Sequence, residues 1–260
     1  MQMTTTDGIQ LSYDDTGTGI PIILLTGIGG NREIWTAQLK PLLTQGYRVI
    51  RLDARNQGAS ARTIKGRRIS RHATDLAELI AQLQLTTCIL MGNSMGAATI
   101  FAYLSLFGTQ HVQAVIDVDQ SPKMITDTSW SYGFKSLTWE NFHEQLRHPL
   151  GHSTVQRLPD DTYQAVQMAN QAHPYDAQLN YPLLLDHATQ DWRDVLLNFH
   201  QPCLFVAGEQ SPYFDPAFAT VSAELTPHGQ SQIIPNCGHV VMAEQPVVFN
   251  QILLSFLASW

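Results

Sequence analysis

A serine hydroxyl is a poor nucleophile until a base takes its proton, and two stretches of this 260-residue sequence offer the two halves of that chemistry. The first is Gly92-Asn93-Ser94-Met95-Gly96, a serine between two glycines, set directly after the apolar run Cys88–Met91. Where a strand turns this tightly into a helix, the central residue sits at a strained backbone angle, and glycines two positions either side avoid clashes. The N-terminus of the following helix also aims unpaired N–H groups at the site, ready for a developing negative charge. Alone, the pentapeptide reads equally as an ordinary small-residue turn. The second stretch is NCGHVVMAEQPVVFNQILLSFL, where His239 follows the last strand-like run and precedes a terminal amphipathic helix. A loop in that place lies at the carboxyl edge of an open sheet, the edge that Ser94 shares and where such sheets bind ligands.

The elements that must hold these residues follow from hydrophobic period. IQLSY alternates with period two and predicts an edge strand; IPIILLT is a continuous apolar run entering the Gly-rich GIGGN, as a buried parallel strand does. A helical pattern covers 34–43, YRVIRLD is a strand, and 69–83 repeats apolar residues at helical spacing. TCILMG predicts a strand, SMGAATIFAYLSLF a buried helix and VQAVIDVD a strand. Residues 123–197 are polar, aromatic and rich in His, Trp and Tyr, without strand-like runs; strands return at QPCLFVAGE and SQIIPNCGH, before a helix over 245–260. This alternation predicts an α/β fold, a mostly parallel open sheet flanked by helices. The core is expected at 1–122 and 198–260, with a helical insertion at 123–197.

Length suits one α/β domain, and 44% hydrophobic residues suffice for a sizeable core. A formal charge of −7 disfavours a nucleic-acid surface. Arg62, Lys65, Arg67, Arg68 and Arg71 gather five of the fifteen basic residues into ten positions, which reads as a solvated loop or as a docking patch for an acidic partner. Cys88 and Cys203 lie in strand-like runs as small hydrophobes, and Cys237 stands two residues before His239. No window reaches eighteen apolar residues, so stable membrane insertion is not expected and a cytoplasmic location is.

Four segments together resemble the serine-nucleophile, carboxylesterase-like branch of the α/β-hydrolase superfamily. LLTGIGGNREIW is similar to its His-Gly-x-Gly-Gly loop and LDARNQGAS to its Asp-x-Arg-x-x-Gly-x-Ser segment. GNSMGA resembles its nucleophile elbow, and GHVVMAEQPVVF its Gly-His…Glu-x-Pro…Phe ending. The resemblance implies Ser94 as nucleophile, His239 as base, and an oxyanion hole from the backbone N–H groups of Ile28 and Met95. It makes the insertion, after the family's sixth strand, a cap over the nucleophile. Asp53 and Arg55 are expected to order loops, and Asn93 either to contact the loop of the base or of the acid or to stabilise the turn. Two departures stand out. Thr26 replaces the family's histidine ahead of the oxyanion loop, and Ser211 occupies the position of the usual triad aspartate. Since serine carries no charge to set against an imidazolium, either another carboxylate serves or the triad is incomplete, a Ser–His dyad. Asp119, at the end of VQAVIDVD, is the expected acid, keeping the order Ser…acid…His; Asp117, Glu209 and Asp215 are the alternatives.

Within the insertion, HEQLRH spaces His143 and His148 five apart rather than four, so it fails as a zinc motif. The remaining histidines His152, His173 and His187 and the aromatics Trp130, Tyr132, Trp139, Phe142 and Tyr181 are expected either in the cap's core or along a pocket. No metal, nucleotide or flavin motif is present, and no cofactor is implied. The expected activity is hydrolysis of small, fairly apolar carboxylic esters, with a small-molecule ester as the only partner. A carbon–carbon bond hydrolase or a cofactor-free perhydrolase on the same triad, and a non-enzymatic small-ligand receptor, are the other readings.

Overall fold

The computed structural model describes residues 1–260. Eight strands form one sheet: β1 (Gln2–Thr4), β2 (Gln10–Thr16), β3 (Pro21–Leu25), β4 (Arg48–Leu52), β5 (Cys88–Asn93), β6 (Val112–Val118), β7 (Cys203–Gly208) and β8 (Gly229–Ile234). Their spatial order is β1-β2-β4-β3-β5-β6-β7-β8, antiparallel at β1–β2 and β2–β4 and parallel beyond. IQLSY therefore belongs to the second strand, not the edge. Gln2–Thr4 pairs outside it through a short ladder that the N-terminal sequence, too brief for a period, does not announce.

Side chains alternate across each strand, so neighbours divide between the two faces. Ile23, Leu90, Val115 and Phe205 pack with α2 (Ile69–Gln82), α3 (Met95–Phe107) and α8 (Ala217–Leu225) through Leu76, Ile100, Phe101 and Phe218. Ile22, Leu24, Ile89, Met91 and Ile116 pack with α1 (Thr36–Thr44) and α10 (Pro246–Leu257) through Leu42, Phe249 and Leu253. Each such fully buried side chain contributes about 1.5–3 kcal/mol, and together they fix the strand ends on which the site stands. The helical pattern at 34–43 divides into a 3₁₀ turn, Arg32–Trp35, and α1, because Asn31 caps the turn by accepting from the Glu33 N–H.

Between β6 and β7 the chain forms α4 (Phe142–Gln145), α5 (Asp160–Ala172), α6 (Ala177–Ala188) and α7 (Arg193–Leu197). The basic run at 62–71 lies on the loop before α2 and on its first turn, with Arg62, Lys65 and Arg68 exposed. Arg62 donates to the carbonyls of His173 and Pro174, Arg67 to that of Leu179, and Arg68 pairs with Asp186 at 3.5 Å. Arg71 binds Asp75 and Glu78 within the core. Three arginines thus tie the insertion to the loop that leads into α2. The last short helix, α9 (Val241–Glu244), follows the His239 loop. No helix is long and apolar enough to cross a membrane.

Candidate active site

Ser94 stands between β5 and α3 with φ 54° and ψ −128°. A non-glycine residue there carries roughly 1–3 kcal/mol of strain, tolerated because the surroundings dictate it. The Ser94 N–H donates to the Val118 carbonyl at 2.9 Å, and the Ala97 N–H to the Ser94 carbonyl at 2.8 Å. The crossing is too tight for side chains at its flanks: a Cβ on Gly96 would lie 2.5 Å from the Leu25 carbonyl oxygen, and one on Gly27 would lie 2.9 Å from the Ser94 Cβ. The neighbouring Asn93 amide donates to the carbonyls of Val118 at 3.0 Å and His239 at 3.1 Å, joining the two chemistry-bearing loops.

His239 Nδ1 lies 2.6 Å from Asp119 Oδ2, both side chains buried. Asp119 also has positive φ, 57°, which turns its carboxylate from the end of β6 toward the β7–β8 side. Its Oδ1 accepts from the Gly208 N–H at 2.9 Å, and its Oδ2 accepts from the Ser211 hydroxyl at 2.6 Å. Ser211, the departure from the usual aspartate position, is thus a hydrogen-bond donor to a carboxylate supplied from another strand. The other carboxylates go elsewhere. Asp117 is fully buried, and burial first, then the Asp119 charge, pushes its pKa well above the usual carboxylate range. Glu209 accepts from the Asn236 N–H and Asp215 from the Ala217 N–H. Aromatic rings wall the imidazole, Tyr213 edge-on at 4.6 Å between centroids and Phe214 at 6.1 Å. Cys237 is buried, and burial pushes its thiol up to about 12, so it stays protonated at neutral pH.

The loop after β3 is held by a residue the motifs did not single out. Gln57 accepts from the Gly29 N–H at 2.7 Å through Oε1 and donates through Nε2 to the Gly27 carbonyl at 3.0 Å and the Thr26 hydroxyl at 3.4 Å. It therefore grips both sides of Ile28, and Thr26 enters the same contact. Its signal was present in LDARNQGAS, but the variable position between the motif residues carries no type of its own. Met95 opens α3, where first-turn N–H groups have no intrahelical acceptor, while Ile28 borders the cavity beside Ser94. Asp53 accepts from the N–H groups of Arg32 and Ala59, and Arg55 binds Asp75 through two 2.6 Å contacts.

Glu244 is the second residue that sequence reading passed over, although it stands in the Glu-x-Pro of the C-terminal motif. Its buried carboxylate accepts from the N–H groups of Gly238 at 3.0 Å and Val240 at 3.2 Å, on either side of His239. It also accepts from Val155 at 2.7 Å and Gln156 at 2.8 Å in the insertion. The His239 N–H meanwhile donates to the Ser153 carbonyl at 2.8 Å.

Above these loops lies a cavity of about 820 Å³ bordered by Ser94, His239, Gln120 and the loop after β3 below, and by residues of α5, α6 and the 146–153 stretch above. Of the five insertion histidines, His148 and His187 border it; of the five aromatics, only Tyr181 does. Trp130 is buried against Ser121, whereas Trp139 is exposed. Burial lowers the His187 pKa to about 4.

A sequence model of the alpha/beta hydrolase fold matches residues 20–141. Together with the sheet order and the likeness to solved structures, that match gives the chain the α/β-hydrolase fold. It is 28% identical to an sn-1-specific diacylglycerol lipase of Mus musculus, over 96% of this chain and 86% of that one. It is 26% identical to a non-heme haloperoxidase of Rhodococcus erythropolis, over 99% of each. A shorter stretch, 36% identical over 121 residues, spans 44% of a protein of Synechocystis. Among solved structures, an esterase from Exiguobacterium antarcticum superposes with a TM-score of 0.85 over 99% of both chains at 23% identity, a likeness of fold. These relatives support a hydrolase role.

Proposed function

We propose that the protein is a serine hydrolase of small, neutral carboxylic esters. The observation that carries this reading is the 2.6 Å contact between His239 Nδ1 and the buried Asp119, with His239 and the strained Ser94 bordering one cavity. In this reading Ser94 Oγ attacks the acyl carbon while His239 Nε2 takes its proton, and the Asp119 carboxylate holds the tautomer and supports the imidazolium. The Ile28 and Met95 N–H groups receive the oxyanion, each such donor being worth about 3 kcal/mol. The tetrahedral adduct collapses by breaking its bond to the alcohol oxygen, which takes the proton from His239. Water then gives a proton to His239 as it attacks the acyl-enzyme, and the carboxylic acid leaves as Ser94 recovers its hydrogen. Residues 123–197 act as the cap that sets substrate size.

The names of the haloperoxidase relatives favour a second use of the same acyl-enzyme, with hydrogen peroxide replacing water and a peroxy acid leaving. One experiment addresses both. The wild-type protein is expected to bind a fluorophosphonate at Ser94 and to release p-nitrophenol in a burst from p-nitrophenyl acetate, and Ser94→Ala to do neither. Full turnover by Ser94→Ala defeats the nucleophile assignment. Adding peroxide shows whether peroxy acid competes with acid as the product.

A further inference from the structure

Asp119 is wholly buried, and a buried carboxylate keeps its charge only where hydrogen-bond donors replace the water it has lost. Its two oxygens are supplied differently. Oδ1 accepts from the Gly208 N–H at 2.9 Å, a backbone donor that no side-chain substitution removes. Oδ2, the oxygen that meets His239 Nδ1 at 2.6 Å, also accepts from the Ser211 hydroxyl at 2.6 Å. Both are contacts to an ionised acceptor, the stronger kind of hydrogen bond. Ser211 and His239 therefore share one atom of the acid, and the hydroxyl fixes where that atom stands relative to the imidazole. Apart from His239, no other side chain donates to Asp119.

The hydroxyl itself has little freedom. Ser211 has a single O–H to give, and it goes to Asp119. Pro212 follows and offers no N–H, so the first donor after it is the Tyr213 N–H, 3.4 Å from Ser211 Oγ. The Ser211 N–H donates to the Gly208 carbonyl at 3.0 Å, closing the turn whose Gly208 N–H also reaches Asp119. Two residues on, the Tyr213 ring stands edge-on to the imidazole, 4.6 Å between centroids. One short loop, 208–213, thus meets the acid at two points and the base at a third. Tyr213 borders the cavity and Ser211 does not, so the Ser211 side chain acts on Asp119 rather than on a ligand. We propose that Ser211 is a positioning residue for acyl transfer, a role that rests on the hydrolase reading above. Its hydroxyl holds Asp119 Oδ2 against His239 Nδ1 and takes up part of a charge that the buried carboxylate cannot share with water. Ser211→Ala leaves Oδ2 with His239 as its only donor and removes one of the two contacts that stop the carboxylate from turning.

A series graded in donor strength tests this, with p-nitrophenyl acetate as substrate. Ser211→Ala should lower kcat about ten- to fiftyfold while KM stays within about twofold, since the side chain touches no ligand. Ser211→Cys, close in volume but a weak donor, should fall between Ser211→Ala and wild type. Ser211→Thr, which keeps the hydroxyl, should recover most of the loss. An unchanged kcat in Ser211→Ala overturns the proposal, as does a loss that follows side-chain size instead of donor strength, or a rise in KM alone. A second readout needs no turnover. The nitrogen NMR shift of His239 Nδ1 reports its hydrogen bond to Asp119; Ser211→Ala should move it and Ser211→Thr should bring it back. The same shift in all three proteins contradicts the proposal. If wild-type protein neither turns over esters nor takes a fluorophosphonate at Ser94, the hydrolase reading fails. The Nδ1 shift then decides by itself whether Ser211 positions the pair.

Discussion

The floor and the roof of the cavity are built by different means. On the floor, short loops at the ends of β3, β5, β6 and β8 present Ser94, Asp119 and His239, and buried hydrogen bonds from Gln57, Asn93, Ser211 and Glu244 fix those loops. The roof consists of helices joined to the core through Arg62, Arg67 and Asp186 on one side, through Glu244 and the His239 N–H on the other and through Asn31 at α5, with Leu183 and Leu184 packed into the core cluster. In the proposed reading the floor keeps the reacting groups within the fraction of an ångström that acyl transfer demands, and the roof sets which substrates enter. In the proposed mechanism, damage to the floor lowers kcat, and damage to the roof acts on KM and selectivity.

Glu244 joins the two regions and gives the largest expected effect among the supporting residues. Glu244→Gln places an amide NH₂ among four backbone donors. A fall in kcat of about a hundredfold is expected, with a loss of roughly 2–4 kcal/mol in chemical denaturation, since buried N–H groups are left unmatched. Unchanged kcat would detach the His239 loop from its carboxylate clamp. Gln57→Leu leaves volume almost constant while releasing the Gly27 carbonyl and the Gly29 N–H. Its kcat on p-nitrophenyl acetate should fall by about ten- to a hundredfold, short of the loss of a whole oxyanion donor. A rise in KM alone would move Gln57 from the floor's account to the roof's.

Roof substitutions should act more gently. Replacing Arg62 and Arg67 together by Ala is expected to raise KM about two- to fivefold and to leave kcat within about twofold, because partly exposed contacts contribute only modestly. A matching collapse of kcat would erase the distinction between the two regions.

Acid stability offers the smallest and most distributed test. Burial lowers His72 to about 3 and His187 to about 4, from an ordinary value of 6.5. Between those values and 6.5 the unfolded chain binds protons that the folded chain refuses, so stability falls as pH drops through that window. Each imidazole accounts for up to about 1.4 kcal/mol per pH unit there. Asp117, raised by burial, acts with the opposite sign, holding its proton when the unfolded carboxyl has lost it. Asp53 and Asp75 are raised by burial as well, but removing the His187 contribution by His187→Leu should by itself flatten the urea midpoint's dependence on pH between about pH 6.5 and pH 4.5. An unaltered slope would mean that His187 does not sit neutral in the fold.

The contrast also explains what sequence alone made legible. The parallel strands were readable because residues such as Ile22–Leu25 and Cys88–Met91 are apolar on both faces, and the turn at Ser94 because only glycine fits where Gly96 meets Leu25. Asp119 was singled out from chain order, but its contact with His239 depends on a positive φ that no residue type in VIDVDQ announces. The insertion's helices were not separable. Several of its contacts with the core run through backbone carbonyls, such as those of His173 and Leu179, and a carbonyl has no sequence identity. The contacts that Arg62 and Arg67 make with the insertion were not legible for the same reason.

The most direct test of the central claim is kcat for Asp119→Asn on p-nitrophenyl acetate, measured beside Glu209→Gln and Asp215→Asn. An amide opposite Nδ1 no longer holds the imidazole in the tautomer that accepts a proton from Ser94. Asp119→Asn is therefore predicted to lose about 10⁴-fold in kcat, with the other two variants within about twofold of wild type. Near wild-type turnover by Asp119→Asn, or a comparable loss in either of the others, would contradict the account.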